Sequence, residues 1–272
     1  MIFPHYSAKS LKSKRIYILS TGRTGTNFIA QGLNSNIDDF TIGHQQIGSR
    51  VINVFANLPF KNKFYLNYLY RLFNFYRRGV PPNSTIDPLL SVALYKLIKY
   101  KKINNNFKIV HLVRSPEDFV TSFMNWKDQS WKRRIILHYL IPFWNPVPLF
   151  HGVSVSKWLQ MSKFEKFCWI WTFKNKMFDE VKRLKKENYY FLKFEDVFQS
   201  SNQKDTFKNL LRFCEIEVPL NIKLKTDKKV NRSTEKKFPK YQNWNESYRR
   251  ILSAYCGDQK LKYGYTSEGH KL

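Results

Sequence analysis

The chain has 272 residues, and its 47 Lys and Arg residues exceed its 20 Asp and Glu residues, which gives a formal net charge of +27 at pH 7. Hydrophobic residues make up 43% and aromatic residues 17% of the chain, which is too apolar for a disordered basic tail. The three cysteines form no Cys-x-x-Cys pair, so we expect no disulfide framework, no zinc site and a reducing, cytoplasmic setting. No secretory signal is expected, because the N-terminus from Met1 to His5 lacks an apolar h-region. No membrane-spanning segment is expected either, because the longest uncharged stretch, residues 135–156, contains three prolines.

Strands and helices are predicted to alternate along the chain. Strands are expected at 15–19, around 40–42, at 107–113 and at 189–194. Helices are expected at 27–33, 61–78, 86–102, from 116 onward, 162–187, 204–214 and 246–256. This alternation predicts an α/β fold with a central, mostly parallel sheet flanked by helices. No linker is visible, so we predict one domain over 1–272, with an N-terminal extension at 1–14 and an insertion at 127–160 that is a candidate acceptor lid.

The turn after the first predicted strand has the composition of an anion-binding loop, Ser20-Thr21-Gly22-Arg23-Thr24-Gly25-Thr26-Asn27. Glycines allow several backbone N–H groups to converge on one oxyanion at a helix N-terminus. Thr24 and Thr26 add hydroxyl donors, and Arg23 adds a fixed positive charge. The loop is not a Walker A motif, because Gly25 is not followed by Lys-Ser or Lys-Thr. An ordinary glycine-containing turn is the alternative interpretation.

A second candidate anion site follows the predicted strand at 107–113. Arg114 leaves the carboxyl end of that strand, and Ser115-Pro116 is typical of a helix start, with Ser at the N-cap and Pro at the first helical position. Ser122 falls about two turns into this helix. Ligands of open α/β sheets bind at the carboxyl ends of the strands, so Arg114 and Ser122 are expected to face the same ligand as the loop. The alternative is that Arg114 only pairs with Glu117 or Asp118.

Together the two motifs resemble those of the sulfotransferases that use 3′-phosphoadenosine 5′-phosphosulfate (PAPS). The resemblance extends over about residues 15–265, although 50–105 and 127–160 match no known pattern. It implies a three-layer, P-loop-like fold in which the loop, Gly22 to Asn27, holds the 5′-phosphosulfate while Arg114 and Ser122 hold the 3′-phosphate. Arg23 stands where many members have Lys, and Asn27 where Ser or Thr is commoner. Neither departure removes a hydrogen-bond donor.

The resemblance also implies the chemistry, which is in-line transfer of a sulfuryl group to a hydroxyl or amine, leaving adenosine 3′,5′-bisphosphate (PAP). Arg23 is the candidate for stabilising charge on the leaving phosphate oxygen, and no metal is required. His44, after the second predicted strand, is the candidate general base because its ordinary pKa is near neutrality. A structural role for His44 is the alternative. Arg232 is a candidate second cation for the 3′-phosphate, with a solvated arginine as the alternative.

Other functions remain open at this stage. A P-loop nucleotide or small-molecule kinase is the competing enzyme, and a non-catalytic protein that binds polyanions is the competing non-enzyme. No nucleic-acid recognition motif is visible, so no nucleic-acid partner is expected. Aromatic residues mixed with Lys and Arg at 64–78 and 131–158 leave peripheral contact with the inner face of an anionic membrane as a further expectation. The acceptor expected from the breadth of the family is a glycan or glycolipid.

Overall fold

The computed structural model describes residues 16–36, 42–44, 47–78, 84–86, 90–103, 107–127, 148–198, 200–222 and 238–266. The strands in these ranges are β1 Ile16–Ser20, β2 Ile42–His44, β3 Ser84–Ile86, β4 Lys108–Val113 and β5 Tyr189–Lys193. The α-helices are α1 Thr26–Asn36, α2 Ile47–Asn57, α3 Lys63–Arg78, α4 Ser91–Lys99, α5 Pro116–Lys127, α6 Val155–Gln160, α7 Lys163–Leu184, α8 Phe194–Phe198, α9 Gln203–Phe213 and α10 Glu246–Lys262.

The described strands form one sheet in the order β2-β3-β1-β4-β5. Every neighbouring pair is parallel, with Tyr17 opposite Ile109 and His111 opposite Phe191. All residues of β1 are buried, as expected for a central strand covered on both faces by helices. The predicted α/β fold with a parallel sheet between helical layers is confirmed. The carboxyl ends of β1 and β4 lie side by side, so the loops that follow them face the same edge of the sheet.

Three apolar clusters hold the layers together. The first packs α2, α3, α4 and the second half of α7 on one face of the sheet, around Leu69, Phe73 and Phe178. The second packs α1 and α9 on the other face, around Leu33 and Phe207. The third joins α5, α6, α10 and the first half of α7, and its buried side chains include Phe119, Phe164, Trp171 and Cys256. This third cluster supports the helix that starts at Pro116.

The structure corrects several predicted elements. The three-residue strand β3, Ser84–Ile86, was missed because the predicted helix at 86–102 overlaps its end, whereas α4 begins only at Ser91. So short a strand carries no readable alternation of apolar and polar residues. Helix α2 was also not predicted, and β2 begins two residues later than expected. Helix α10 continues to Lys262 rather than ending near Gly257, because this glycine lies within the helix and has only Ser253 Oγ near its missing Cβ.

One predicted helix cap is confirmed, and a second cap was not predicted. Ser115 Oγ accepts a hydrogen bond from the backbone N–H of Asp118 at 3.3 Å, so Ser115 caps α5. Ser162 and Glu165 form a reciprocal capping box at the start of α7.

The proposed N-terminal extension, 1–14, and residues 128–147 of the proposed insertion lie outside the described residues. None of the described helices combines the length and apolar character needed to cross a bilayer.

His111 lies in the middle of β4 and is fully buried. Its Nε2 lies 2.9 Å from Asn175 Oδ1, and its Nδ1 lies 2.7 Å from the Tyr189 hydroxyl. Burial lowers the pKa of His111 to about 4, so the ring is neutral at physiological pH. These contacts make His111 a structural residue.

Candidate active site

The loop between β1 and α1 is turned tightly by its backbone. Gly22, Arg23 and Gly25 have positive φ values of 93°, 57° and 78°. Ser20 Oγ accepts a hydrogen bond from Gly22 N at 2.9 Å and is also hydrogen-bonded to the buried Thr24 hydroxyl. The hydroxyl predicted to face a ligand from Thr24 therefore braces the loop from within.

Gly25 is packed against two aromatic rings of α8. A Cβ added at Gly25 would lie 2.5 Å from Cζ of Phe198 and 2.9 Å from Cε2 of Phe194. Gly25 O accepts hydrogen bonds from Phe28 N at 2.9 Å and Ile29 N at 3.2 Å, which starts α1. Because only glycine fits this close approach, the N-terminus of α1 is held at the carboxyl edge of the sheet, where the dipole of the helix and the N–H groups of its first turn favour an anion.

The structure brings the two predicted anion motifs into direct contact. Arg23 Nε donates a hydrogen bond to Ser122 Oγ at 3.2 Å, across 99 residues of sequence. Arg114 Nη1 donates to the backbone oxygen of Arg23 at 3.1 Å, and its guanidinium lies 4.4 Å from the ring centre of Phe194. Arg23, Arg114 and Ser122 therefore surround one location beside the loop.

The electrostatics of this location favour a bound anion. Burial lowers the pKa of Arg23, and the neighbouring positive charge of Arg114 lowers it further. Two guanidinium groups held this close repel each other, and an anion between them would relieve that repulsion. The alternative predicted for Arg114 also occurs, since its Nη2 lies 3.4 Å from Asp118 Oδ2. The two roles are compatible, because this contact leaves other guanidinium N–H groups of Arg114 for a ligand.

Two buried polar atoms at the site have no hydrogen-bond partner within the described part of the chain. They are Nε of Arg114 and the hydroxyl of Thr21. A buried donor without a partner is costly, and an oxyanion would satisfy both groups. Thr24 and Thr26 were the hydroxyl donors predicted from the sequence, whereas Thr21 was not predicted as one, although it belongs to the same loop.

A network from distant parts of the chain fixes the backbone around Arg114. Glu195 is buried and accepts hydrogen bonds from Ser115 N at 2.9 Å and the Tyr265 hydroxyl at 2.8 Å. Trp171 Nε1 donates to the backbone oxygen of Arg114 at 3.0 Å. Burial and the adjacent Glu195 carboxylate raise the pKa of Tyr265, so its hydroxyl stays protonated and donates. No pattern in the sequence assigned Glu195, Trp171 or Tyr265 to this role.

The remaining predicted site residues are less completely placed. His44 is the last residue of β2, aligned with Ile86 of β3, and β3 separates β2 from β1. Its backbone therefore lies near the carboxyl edge of the sheet, level with Ile18 and about 10 Å from β1 across two strand spacings. Thr26 is buried and opens α1. The side chains of His44 and Asn27 and the whole of Arg232 lie outside the described residues.

His151 contacts residues away from the anion-binding loop. His151 packs on the ring of Phe173 at 4.5 Å, and burial followed by the nearby charge of Lys96 lowers its pKa to about 4. It makes no described contact with the loop. Within the described ranges, no group of three or more His, Cys, Asp or Glu residues is arranged to hold a metal ion.

Comparisons with known proteins identify the family of the chain. The sulfotransferase domain family matches residues 13–254. A sulfotransferase from Alicyclobacillus acidocaldarius is 12% identical, with 91% of this chain and 93% of that chain covered and a TM-score of 0.49. A mouse sulfotransferase complexed with PAP is 13% identical, with 94% and 92% covered and a TM-score of 0.50. The sulfotransferase domain from the curacin biosynthetic pathway is 12% identical, with 75% of each chain covered and a TM-score of 0.47.

At 13% identity the match to the mouse sulfotransferase bears on the fold alone. No curated protein matches the chain significantly. The family match covers most of the chain, including both anion motifs, β5 and the larger part of α10, so the resemblance noted in the sequence is confirmed. The chain therefore belongs to the sulfotransferase domain family of transferases.

Proposed function

We propose that this protein transfers a sulfuryl group from PAPS to a hydroxyl or amine of an acceptor. The observation that carries the proposal is the hydrogen bond between Arg23 and Ser122, which joins the loop to the second anion motif beside Arg114. PAPS has two anionic groups on one nucleoside, so its binding requires two neighbouring anion sites. The mouse sulfotransferase complexed with PAP supports the choice of donor.

The two anion sites would bind different groups of the donor. The loop from Gly22 to Asn27 and the N-terminus of α1 would bind the 5′-phosphosulfate through backbone N–H groups, the hydroxyl of Thr26 and the Arg23 guanidinium. Arg114 and Ser122 would bind the 3′-phosphate, with Arg232 as the second cation. Glu195 and Trp171 would act indirectly, because they hold the N–H and the C=O of the peptide unit between Arg114 and Ser115.

The reaction is a single in-line displacement. The acceptor oxygen attacks sulfur, the bond between sulfur and the 5′-phosphate oxygen breaks, and its electron pair remains on PAP. His44 removes the proton of the acceptor hydroxyl, so the products are a sulfate ester and PAP. Arg23 and the N–H groups of the loop stabilise the negative charge that grows on the leaving oxygen. The contribution of the protein is therefore positioning and charge stabilisation.

The acceptor that we propose is a glycan or glycolipid. Residues 50–105 and 127–160, which have no counterpart in the family pattern, would select it. Exposed aromatic and basic side chains in this part of the chain, such as Phe150 and Lys157, suit sugar rings and anionic groups. Labelled-sulfate transfer to fractionated polysaccharides and lipids would identify the acceptor.

Ligand-dependent thermal unfolding tests the donor assignment. At a PAP concentration 100-fold above Kd, we expect the Tm to rise by about 5 to 10 °C, because the ligand binds only the folded state. ATP with Mg²⁺ and a DNA oligonucleotide at the same concentration should give much smaller shifts. A larger shift with ATP and Mg²⁺ would favour a kinase, and a larger shift with DNA would favour a polyanion-binding protein.

A further inference from the structure

Helix α3 exposes aromatic side chains along its outer side. Its inner side is buried through Leu66, Leu69 and Phe73. The side chains of Phe64 and Phe75 are 84% and 77% exposed, although full exposure of a Phe ring gains nothing in water. Their spacing of eleven residues, about three helical turns, aligns them along one stripe about 16 Å long.

The exposed surface continues beyond this stripe. Tyr68 and Arg71 are exposed at positions between the two phenylalanines on the same side of α3. Phe55 of α2 contacts Tyr68 with ring centres 5.5 Å apart, so the two helices are in contact on this side. The α2–α3 face is defined by its exposed apolar residues, Val51, Val54, Phe60, Phe64, Tyr68 and Phe75.

The chain segment that forms the α2–α3 face contains basic but no acidic residues. Residues 40–86 contain no Asp or Glu. The same segment contains the basic residues Arg50, Lys61, Lys63, Arg71, Arg77 and Arg78. Lys102 adds a further cation, because its Nζ donates to Asn67 Oδ1 on α3 at 2.7 Å. The face therefore combines exposed aromatic rings with a segment that carries basic but no acidic residues.

This combination restricts the chemistry of the partner. A polysaccharide or nucleic acid would neutralise the cations but would leave Phe64 and Phe75 in water. A neutral bilayer would bury the rings but would gain nothing from the cations. An anionic bilayer uses both, since aromatic rings enter the boundary between headgroups and acyl chains while Lys and Arg contact the anionic headgroups.

We propose that the α2–α3 face docks on an anionic membrane surface, with Phe64 and Phe75 inserted between the headgroups. The aromatic and basic pattern at 64–78 predicted such contact. The same contact was predicted for 131–158, but the structure excludes the last residue of that segment. Trp158 is buried in the third apolar cluster and takes no part in the surface. The proposal concerns a surface remote in sequence from the donor motifs and does not depend on the identity of the donor.

Vesicle co-sedimentation of the full chain tests the proposal. Wild-type protein should bind vesicles of phosphatidylcholine with 30% phosphatidylglycerol and should bind pure phosphatidylcholine at least tenfold more weakly. The double variant Phe64→Ser/Phe75→Ser should lower binding to the anionic vesicles by about tenfold, because two inserted rings are lost. Equal binding of this variant and the wild type would overturn the proposal.

The matched control replaces two exposed leucines elsewhere, Leu220→Ser/Leu261→Ser, and should leave vesicle binding unchanged. A heparin column separates a membrane from an anionic polymer, because Phe64→Ser/Phe75→Ser should elute at the wild-type salt concentration. Loss of heparin retention with unchanged vesicle binding would overturn the proposal.

A positive signal is available from a fluorescent label. The native cysteines Cys168, Cys214 and Cys256 are all buried, so a cysteine introduced at an exposed position can be labelled selectively. A polarity-sensitive dye at Phe75→Cys should shift to the blue when anionic vesicles are added, and the same dye at Leu220→Cys should not. Identical shifts at both positions would contradict docking through the α2–α3 face.

Discussion

Gly25→Ala should lower the affinity for PAP by about 100-fold or more. The new methyl group would lie 2.5 Å from the Phe198 ring, so this ring and the stacked ring of Phe194 must move. Phe194 also lies under the Arg114 guanidinium, and its displacement would disturb the second anion site as well. Overpacking and a positive φ at a non-glycine residue together cost about 2 to 5 kcal/mol, and 100-fold in affinity corresponds to about 2.7 kcal/mol.

Two controls isolate the cause of this effect. Gly152→Ala introduces the same backbone strain, with φ of 84°, but its Cβ would meet no atom within 4 Å, so PAP affinity should stay at the wild-type value. Adding Phe198→Ala to Gly25→Ala should restore part of the affinity by removing the clash. Calorimetric titration with PAP measures all three variants. Affinity of Gly25→Ala within threefold of the wild type would show that the loop geometry is not needed for donor binding.

His44→Ala should reduce kcat for sulfuryl transfer by about 100-fold to 10,000-fold while PAP affinity stays unchanged. The reason is that His44 ends β2 at the carboxyl edge of the sheet, on the far side of β3 from the loop. From this position it would meet the acceptor rather than the nucleotide. Transfer of labelled sulfate from PAPS to the accepted fraction measures kcat, and calorimetry measures PAP binding.

The pH profile and a second histidine complete the test of His44. A histidine acts as a base only in its neutral form, so protonation in acid should lower kcat, and His44→Gln should lose this dependence along with the activity. His151→Ala provides the comparison, because His151 packs against Phe173 without described contact to the loop and should retain wild-type kcat. Near-normal turnover of His44→Ala would eliminate His44 as the base.

The anion motifs could be predicted because their signals are local. Glycines beside a strand end and a Ser-Pro helix start can be recognised from a few adjacent residues. In the structure Gly25 starts α1 and Ser115 caps α5. The parallel sheet was also predictable from alternation of elements. The strand β3 could not be predicted, since three residues between two helical segments are too few to show an alternation of apolar and polar residues.

The residues that complete the site could not be predicted because they come from distant segments. Phe198 fills the space beside Gly25, and Glu195 and Trp171 hold the backbone at Arg114. Each is an ordinary aromatic or acidic residue in a helix or at a strand end, and only the tertiary structure gives it a role. The basic residues behind the net charge of +27 also come from separate segments of the chain. A few arginines surround the proposed donor site, while another group belongs to the α2–α3 face.

The most direct test of the central claim is calorimetric titration of PAP and adenosine 5′-phosphate into the wild type and Arg114→Ala. If Arg114 binds the 3′-phosphate, the wild type should prefer PAP by about tenfold to 100-fold, the range expected for charge-assisted hydrogen bonds to one phosphate. Arg114→Ala should lose this preference while its affinity for adenosine 5′-phosphate stays unchanged. Arg250→Ala, which removes an exposed arginine of α10, should behave as the wild type. Equal affinity of the wild type for both nucleotides, or an undiminished preference in Arg114→Ala, would contradict the proposed donor site.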